Sequence, residues 1–476
     1  MIMKMELPAA VENIIQTLEE HGHEAYAVGG CVRDSILGKE PKDWDITTSA
    51  LPEEVKEVFG HTIDTGIQHG TVTVMMDHEG YEVTTYRVDG EYKDGRHPEQ
   101  VTFTPSLLED LKRRDFTINA MAYNPTRGLV DEFDGQGDLK RHIIRAVGEP
   151  EKRFTEDALR MMRAIRFAAR LGFDIEKDTY EAISKLAPTL SKVSAERIRD
   201  EFEKTICSDH PEHIRKLYET GLLDIFLPEW RAMEETPQHT IHHKYNVADH
   251  TVEVMRHTPA NRILRLAALL HDVAKPVCRT TDEKNVDHFK GHPEKGAKMA
   301  GVILKRMRYD NDTIQKVKVL VRYHDERPSD TERSVRRAVA KIGPKACPDL
   351  FLLKRGDMLG QSDYRRTEKL NQIDYFERRY YEIMEKKEAL CIKDLAIGGR
   401  ELMELGLPKG PALGQVLGIL LDNVLDDPNL NDRETLIDLT EHLLKTMDLK
   451  TKDPKIDLKT VDSKSLSTNE EKEGTK

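Results

Sequence analysis

Cysteine is scarce in this 476-residue chain: five residues (Cys31, Cys207, Cys278, Cys347, Cys391), odd in number, scattered, and with no C-x-x-C pair. This excludes a disulfide framework and the spacing of a zinc finger, and it fits reduced thiols in a cytoplasm. Aromatics are few (6%) and charged residues many (33%), a soluble composition that still leaves ample aliphatic residues for cores. No apolar run approaches the ~20 residues of a membrane span, and Met1-Ile2-Met3-Lys4-Met5-Glu6 lacks the pattern of a signal peptide. The chain is therefore expected to be cytoplasmic, without membrane contact. An excess of positive charge is also lacking: 85 acidic residues outnumber 73 Lys and Arg, and the net charge of −12 argues against a general nucleic-acid coat. A local basic groove remains possible, because net charge does not decide where patches lie. The length exceeds one ordinary core and asks for three or four domains, with no internal repeat.

Against these absences stands Asp43-Trp44-Asp45, thirteen residues after the glycine pair in Gly29-Gly30-Cys31-Val32-Arg33-Asp34. Ala25 to Val28 reads as a short strand and Val32 to Leu37 as the start of a helix. Two glycines between them let a backbone approach a phosphate, and a helix N-terminus offers it free N–H groups. Asp43 and Asp45, two apart in a second short strand, are expected on one face. Paired carboxylates opposite a phosphate cradle make a magnesium site for nucleotide chemistry, since magnesium takes hard oxygen ligands and keeps waters for substrate phosphates to replace.

Further motifs follow. After a strand Thr71 to Met76 and a hairpin signal Asp77-His78-Glu79-Gly80, Tyr81 to Arg87 carries Glu82, a third carboxylate able to lie beside the pair; an exposed hairpin face is its plain alternative. Then come Asp94-Gly95-Arg96-His97-Pro98, Glu109 to Ala120 with Arg113-Arg114-Asp115, and Glu156-Asp157-Ala158-Leu159-Arg160 running on to Phe167. In this order and spacing, from about residue 22 to 206, the chain resembles the class II tRNA nucleotidyltransferases, the CCA-adding enzymes and related bacterial poly(A) polymerases. The resemblance implies an α+β architecture: an N-terminal polymerase-β-like mixed-sheet head followed by an all-α neck, body and tail. It implies Mg2+ on Asp43 and Asp45, with Glu82 a weaker catalytic candidate. Gly29, Gly30, Arg33, Arg114 and Asp115 would hold the triphosphate, and tRNA, CTP and ATP would be the partners. Two magnesium ions would activate a 3′-hydroxyl and neutralise the leaving pyrophosphate.

Glu156 to Phe173 reads as one long helix with Thr155 as N-cap, placing Asp157 and Arg160 side by side on one face. The plain reading is an intrahelical ion pair; the resemblance makes the two residues a protein template for base choice. A carboxylate accepts from the amino group of cytosine or adenine, and a guanidinium donates to the ring nitrogen and the cytosine carbonyl. Uracil and guanine present the opposite polarity, and each unpaired buried polar group costs about 1–3 kcal/mol. Arg163, Arg166 and Arg170 continue a basic stripe suited to phosphates, a solvated face being the ordinary alternative.

A second constellation lies mid-chain. His250 sits in a helical run Asn246 to Arg256. An apolar helix Leu264 to Leu270 runs into His271-Asp272, with Pro276 expected to stop it; His292, His324 and Asp357 follow. This order resembles the HD family of metal-dependent phosphohydrolases. By position, His250, His271, Asp272 and Asp357 would hold a first metal, and His292 and His324 would complete a second site. Imidazole with carboxylate suits divalent transition metals as well as magnesium. A phosphomonoester or 2′,3′-cyclic phosphate at a tRNA end would be the substrate. His239, His242 and His243 are expected at the surface.

The expected domains are a head (1–148), helical neck and body (149–237), HD domain (238–375), helical tail (376–447) and disordered end (448–476). In the tail, Leu405 to Gly414 has glycine turns and Lys409 at a helix start, suited either to a tRNA phosphate or to a packing corner. CCA addition ranks first, because the segment Asp89 to Thr104, linked by the resemblance to the CTP-to-ATP switch, is complete. An A-adding enzyme of a split CC/A system ranks second, and poly(A) synthesis third, since the arginine-rich stretch of those polymerases has no counterpart in Val58 to Gly66. An RNA-binding protein whose only activity is the HD hydrolase stays open.

Overall fold

The apolar run Ala25–Val28 forms strand β1, and all four of its residues are interior. It lies inside a seven-stranded mixed sheet in a computed structural model describing residues 5–90 and 101–446. The further strands are β2 (Asp45–Thr48), β3 (Thr62–Gly66), β4 (Thr71–Met76), β5 (Glu79–Thr85), β6 (Arg87–Asp89), β7 (Val101–Phe103), β8 (Ala122–Asn124) and β9 (Gly128–Val130). The sheet order is β3-β4-β5-β2-β1-β8-β9, with β6 and β7 a separate antiparallel ribbon. Asp77 and His78 at the β4–β5 turn both take positive φ (49° and 68°), which suits a two-residue hairpin with the twist of its strands. Residues 91–100, the middle of the segment expected to switch nucleotides, and the end expected to be disordered lie outside the described residues.

Two pairings place the head's acidic residues. β1 runs antiparallel to β2 (Ala27 opposite Ile46), and β2 runs parallel to β5, setting Asp45 opposite Glu82. β2 begins at Asp45, so Asp43 lies on its lead-in and not in the strand itself.

The neck departs from expectation. Instead of one helix from Glu156, there are two, Pro150–Glu156 and Leu159–Leu171, broken at Asp157 (φ −141°, ψ 106°). Asp157 Oδ1 accepts from the Leu159 backbone N–H (3.0 Å), so Asp157 opens the second helix, and Thr155 caps nothing there. A later helix, Ala195–Ile206, follows Ser194 as foreseen, although the Ser194 side chain makes no capping bond.

The HD residues ride on helices Val247–Arg256, Arg262–Leu270, His292–Arg306, Asn311–Tyr323 and Cys347–Gly360. Pro276 does not stop the helix before His271, which ends at Leu270. It sits in the first turn of a short helix Lys275–Cys278, where its absent N–H costs nothing.

The chain divides into two compact units. One is the chain up to Arg327 together with Lys345–Glu377, and it contains both the head and the HD residues. The other is Pro328–Pro344 together with the chain from Arg378, so the helix Glu332–Ile342, numbered within the expected HD range, belongs there. The second unit has its own core around Leu402, Leu420, Val424 and Leu436. In it Gly406 and Gly410 take positive φ before the helix Pro411–Asp426, and Lys409 is exposed. Among the described residues, no helix is long and apolar enough to cross a membrane.

Candidate active sites

Asp43, Asp45 and Glu82 line one cleft of the head, about 1260 Å³ in volume. Crowding by surrounding protein raises the pKa of Asp45, with Arg114 opposing the shift and Asp43 adding to it, although Asp45 keeps an exposed edge. Glu82 is raised likewise by burial, then by Asp45 and Asp43. Three neighbouring carboxylates, with one guanidinium beside them, form an oxygen donor set that a divalent cation would relieve.

Arg114 is held by Asp110, a fully buried carboxylate. Asp110 takes Arg113 on one oxygen (2.8 and 2.9 Å) and Arg114 on the other (3.3 Å), together with Thr47 Oγ1 from β2 (3.2 Å). Burial opposes the charge of Asp110, but Arg114 and Arg113 outweigh it and lower its pKa. Gly29, with φ 82°, lies against Arg114: a Cβ there would meet Nη1 at 3.1 Å, so a side chain would press on the guanidinium. Gly30 follows at the start of the helix Gly30–Ile36. Arg33 is buried, bonded to Asn119 Oδ1 (2.6 Å) and Asp34 (2.7–2.8 Å), and packs over Phe167. Asp115 accepts from the Phe116 N–H, Asn119 and Arg163 (2.8 Å). Burial opposes its ionisation, yet Arg163 and the Asn119 bond bring its pKa down to about 2.

Asp157 and Arg160 are near in sequence but are not paired. Because Asp157 is extended, the helical three-residue spacing does not apply: its Oδ2 takes Arg197 (2.8 Å), while Arg160 takes Glu156 (2.7 Å) and the Arg113 carbonyl (3.1 Å). The basic stripe is also committed: Arg163 to Asp115, and Arg166, buried, to Glu201 (2.5 Å). Arg170 is exposed, 3.8 Å from Asp34.

The HD residues converge. His250 and His271 bring Nε2 atoms within 3.3 Å of each other, His292 and His324 within 3.2 Å. Asp272 stands between the pairs: Oδ2 faces His271 (3.1 Å) and His250 (3.5 Å), and Oδ1 faces His292 (3.3 Å) and His324 (3.7 Å). Asp357 reaches His250 at 3.0 Å. Two triads, His250–His271–Asp272 and Asp272–His292–His324, hold donor atoms within 4.8 Å of one another. Each imidazole turns Nδ1 to a backbone carbonyl, of Gly360, Ala268, Phe289 and Val321 respectively, at 2.7–3.2 Å. Those bonds fix the rings with Nε2 as the free acceptor, as metal ligands require. Neither Asp272 oxygen has a hydrogen-bonded donor in good geometry despite full burial. Burial opposes the charge of Asp272, but His271 and Lys275 (2.7 Å) hold its pKa well below the usual range. The donor set fits divalent cations.

Several neighbours escaped the sequence reading. His243 is not a surface residue: its Nδ1 is buried without a hydrogen-bond partner, its ring lies 4.9 Å from that of His250, and burial drives its pKa down to about 2. Lys275 had a signal, standing three residues after Asp272. Asp110 did too, being three and four residues before the two arginines. Arg197, forty residues from Asp157, had none.

Comparison with known proteins matches the domains that carry the two clusters. The family model "Poly A polymerase head domain" matches residues 25–145, "Probable RNA and SrmB- binding site of polymerase A" residues 172–233, and "HD domain" residues 240–394. The CCA-adding enzyme of Limosilactobacillus fermentum is 36% identical over 450 residues, 93% of this chain and 100% of that protein. That of Leuconostoc mesenteroides is 60% identical over 193 residues, 40% of this chain and 48% of that protein. Among solved structures, Bacillus stearothermophilus CCA-adding enzyme in complex with CTP matches with a TM-score of 0.67 at 29% identity, covering 93% of this chain and 99% of that one. With more than a third of its residues shared along nearly its whole length with such a relative, the chain belongs to the CCA-adding enzyme family.

Proposed function

We propose that this chain adds C, C and A in turn to the 3′ end of tRNA, using CTP and ATP without a nucleic-acid template. The observation that carries this is the gathering in one cleft of Asp43 on the lead-in to β2, Asp45 at the start of β2 and Glu82 on β5, beside the Arg114 guanidinium packed on Gly29. The RNA 3′-hydroxyl oxygen forms a bond to the α-phosphorus, and the bond to the β-phosphate oxygen breaks, releasing pyrophosphate. Magnesium held by Asp43 and Asp45 would supply nucleophile activation and charge neutralisation. Gly29 and Gly30 would let the triphosphate approach the backbone; Arg33 and Arg114 would meet its charge, with Asp115 and Arg163 fixing the wall behind, and Arg166 bracing the neck helix. Asp157 and Arg160 would exchange their present partners for the base edge.

The test incubates the protein with tRNA ending at the discriminator base and with labelled CTP and ATP, singly and together. C then A is the expected product. Incorporation of A alone on a CC-ended tRNA would replace this reading with the split system, a long A tail with poly(A) synthesis, and no incorporation with an RNA-binding role.

A second activity is favoured by the buried imidazoles. The HD site would hold a divalent transition metal or magnesium on His250, His271, Asp272 and Asp357, with His292 and His324 completing a second position, and would hydrolyse a phosphomonoester or cyclic phosphate at a tRNA end.

A further inference from the structure

Asp272, His292, His324 and Asp357 open onto a cavity of about 520 Å³, and one wall of it plays no part in the ligand pattern. Lys369, half-buried in the first turn of the helix Arg366–Glu385, points its ammonium into this wall. It donates to two neutral groups, Gln361 Oε1 at 3.0 Å and His242 Nδ1 at 3.3 Å. Among the described residues, no carboxylate forms an ion pair with it. Nearby cations are already matched: Arg327 by Asp325 (2.6 Å), Arg366 by Asp363 (2.5 Å) and Arg365 by Glu368. Burial followed by the charge of Arg327 lowers the Lys369 pKa, with Asp357 acting against them. A cation held in such company is stabilised by an arriving anion.

Gln361 ties Lys369 to the cluster. Buried itself, it donates from Nε2 to Asp357 Oδ1 (3.1 Å) while accepting Lys369 on Oε1. Lys369 is therefore linked through a single side chain to a carboxylate of the HD cluster, and an oxyanion beside that cluster would gain a charge-assisted hydrogen bond from its ammonium. We propose that Lys369, oriented by Gln361 and His242, is the phosphate-binding residue of the HD pocket and holds the phosphoryl group of the substrate against the cluster. The inference deepens the second activity above and rests on the HD cluster holding metal. A phosphomonoester and a cyclic phosphodiester share this chemistry.

The test is inorganic phosphate binding, by titration calorimetry, to the full chain loaded with Mn2+. Lys369→Met is expected to weaken the binding that His271→Ala with Asp272→Ala abolishes, by about 10–100-fold as befits a lost charge-assisted bond. Lys369→Arg should restore most of it, and bound metal and Tm should stay at wild-type values, which separates anion binding from a structural role. Unchanged phosphate affinity in Lys369→Met, or no phosphate binding that depends on His271 and Asp272, overturns the proposal. Hydrolysis of p-nitrophenyl phosphate and of a 2′,3′-cyclic nucleotide is measured beside it. If neither is cleaved while phosphate binding still depends on Lys369, the hydrolase reading fails and this one stands. Loss of cleavage of one ester and not the other in Lys369→Met identifies which substrate it serves.

Discussion

The two acidic sites of this chain lie in one compact unit and are built on opposite plans. In the head, Asp43, Asp45 and Glu82 stand exposed at a cleft, Asp45 and Glu82 raised in pKa by crowding and by their carboxylate neighbours, and the three do not meet within 4.8 Å. In the HD cluster the donors are buried, two imidazole pairs meet at 3.2–3.3 Å across one aspartate, and every ring is locked through Nδ1. The difference follows from what completes each site. Under the proposed function the head takes its ions with a nucleotide whose phosphates supply oxygens, so the protein leaves room and water access. Under the same reading the HD cluster would supply nearly a full ligand set itself, and the Nδ1 bonds to backbone carbonyls set the ring geometry before any substrate arrives.

The contrast breaks most sharply in the head. Asp43→Ala is expected to reduce nucleotide incorporation by about 1000-fold or more, since ions at such a site supply several kcal/mol of transition-state stabilisation. Incorporation at the wild-type rate would remove Asp43 from the metal site. In the HD cluster, His271→Ala with Asp272→Ala should strip divalent metal from the dialysed protein, read by elemental analysis, while incorporation of C and A changes by no more than about twofold. Metal retained by that variant would show that the convergent imidazoles are not the ligands.

Legibility in the sequence also divides along this line. β1 was readable to the residue, because Ala25–Val28 is apolar between breaks, and the convergence of the six HD positions could be anticipated because their order is long and specific. The break at Asp157 was not readable. Within Glu156-Asp157-Ala158-Leu159-Arg160 only Asp157 has the chemistry of a helix start, a lone signal in a helix-favouring run, and the Arg197 that meets its carboxylate comes from another helix. His243 sat in a polar stretch, and its burial against His250 is a product of packing that no local pattern carries. Site residues that speak through spacing were visible; those that act through a partner far along the chain were not.

Asp157 sharpens the comparison at a smaller scale, because it serves structure now and base choice under the proposal. Asp157→Ala should reduce discrimination against UTP and GTP by about 10–100-fold, the factor for one unpaired buried group. Asn is as good an N-cap as Asp, so Asp157→Asn keeps the start of the helix Leu159–Leu171 and loses only the carboxylate. Equal loss of discrimination in both variants supports templating. Loss confined to the alanine variant assigns the effect to the helix start.

The smallest effect concerns the wall that Asp115 and Arg163 form under the proposed function. Asp115 has its pKa lowered from 3.8 to about 2, burial notwithstanding, by Arg163 and Asn119. A carboxyl with a folded-state pKa below its unfolded one stabilises the fold above pH ~4, and that contribution fades as pH falls towards the folded value. The shift corresponds to about 2 kcal/mol. Asp115→Asn should therefore lower the urea midpoint at pH 7 and at pH 5 by the same amount, and the gap to wild type should narrow from pH 4 to pH 3. A gap that persists unchanged to pH 3 would mean that packing by the Asp115 side chain, and not its charge against Arg163, holds this wall. The head would then owe its rigidity to shape, as the HD cluster owes its own to locked rings.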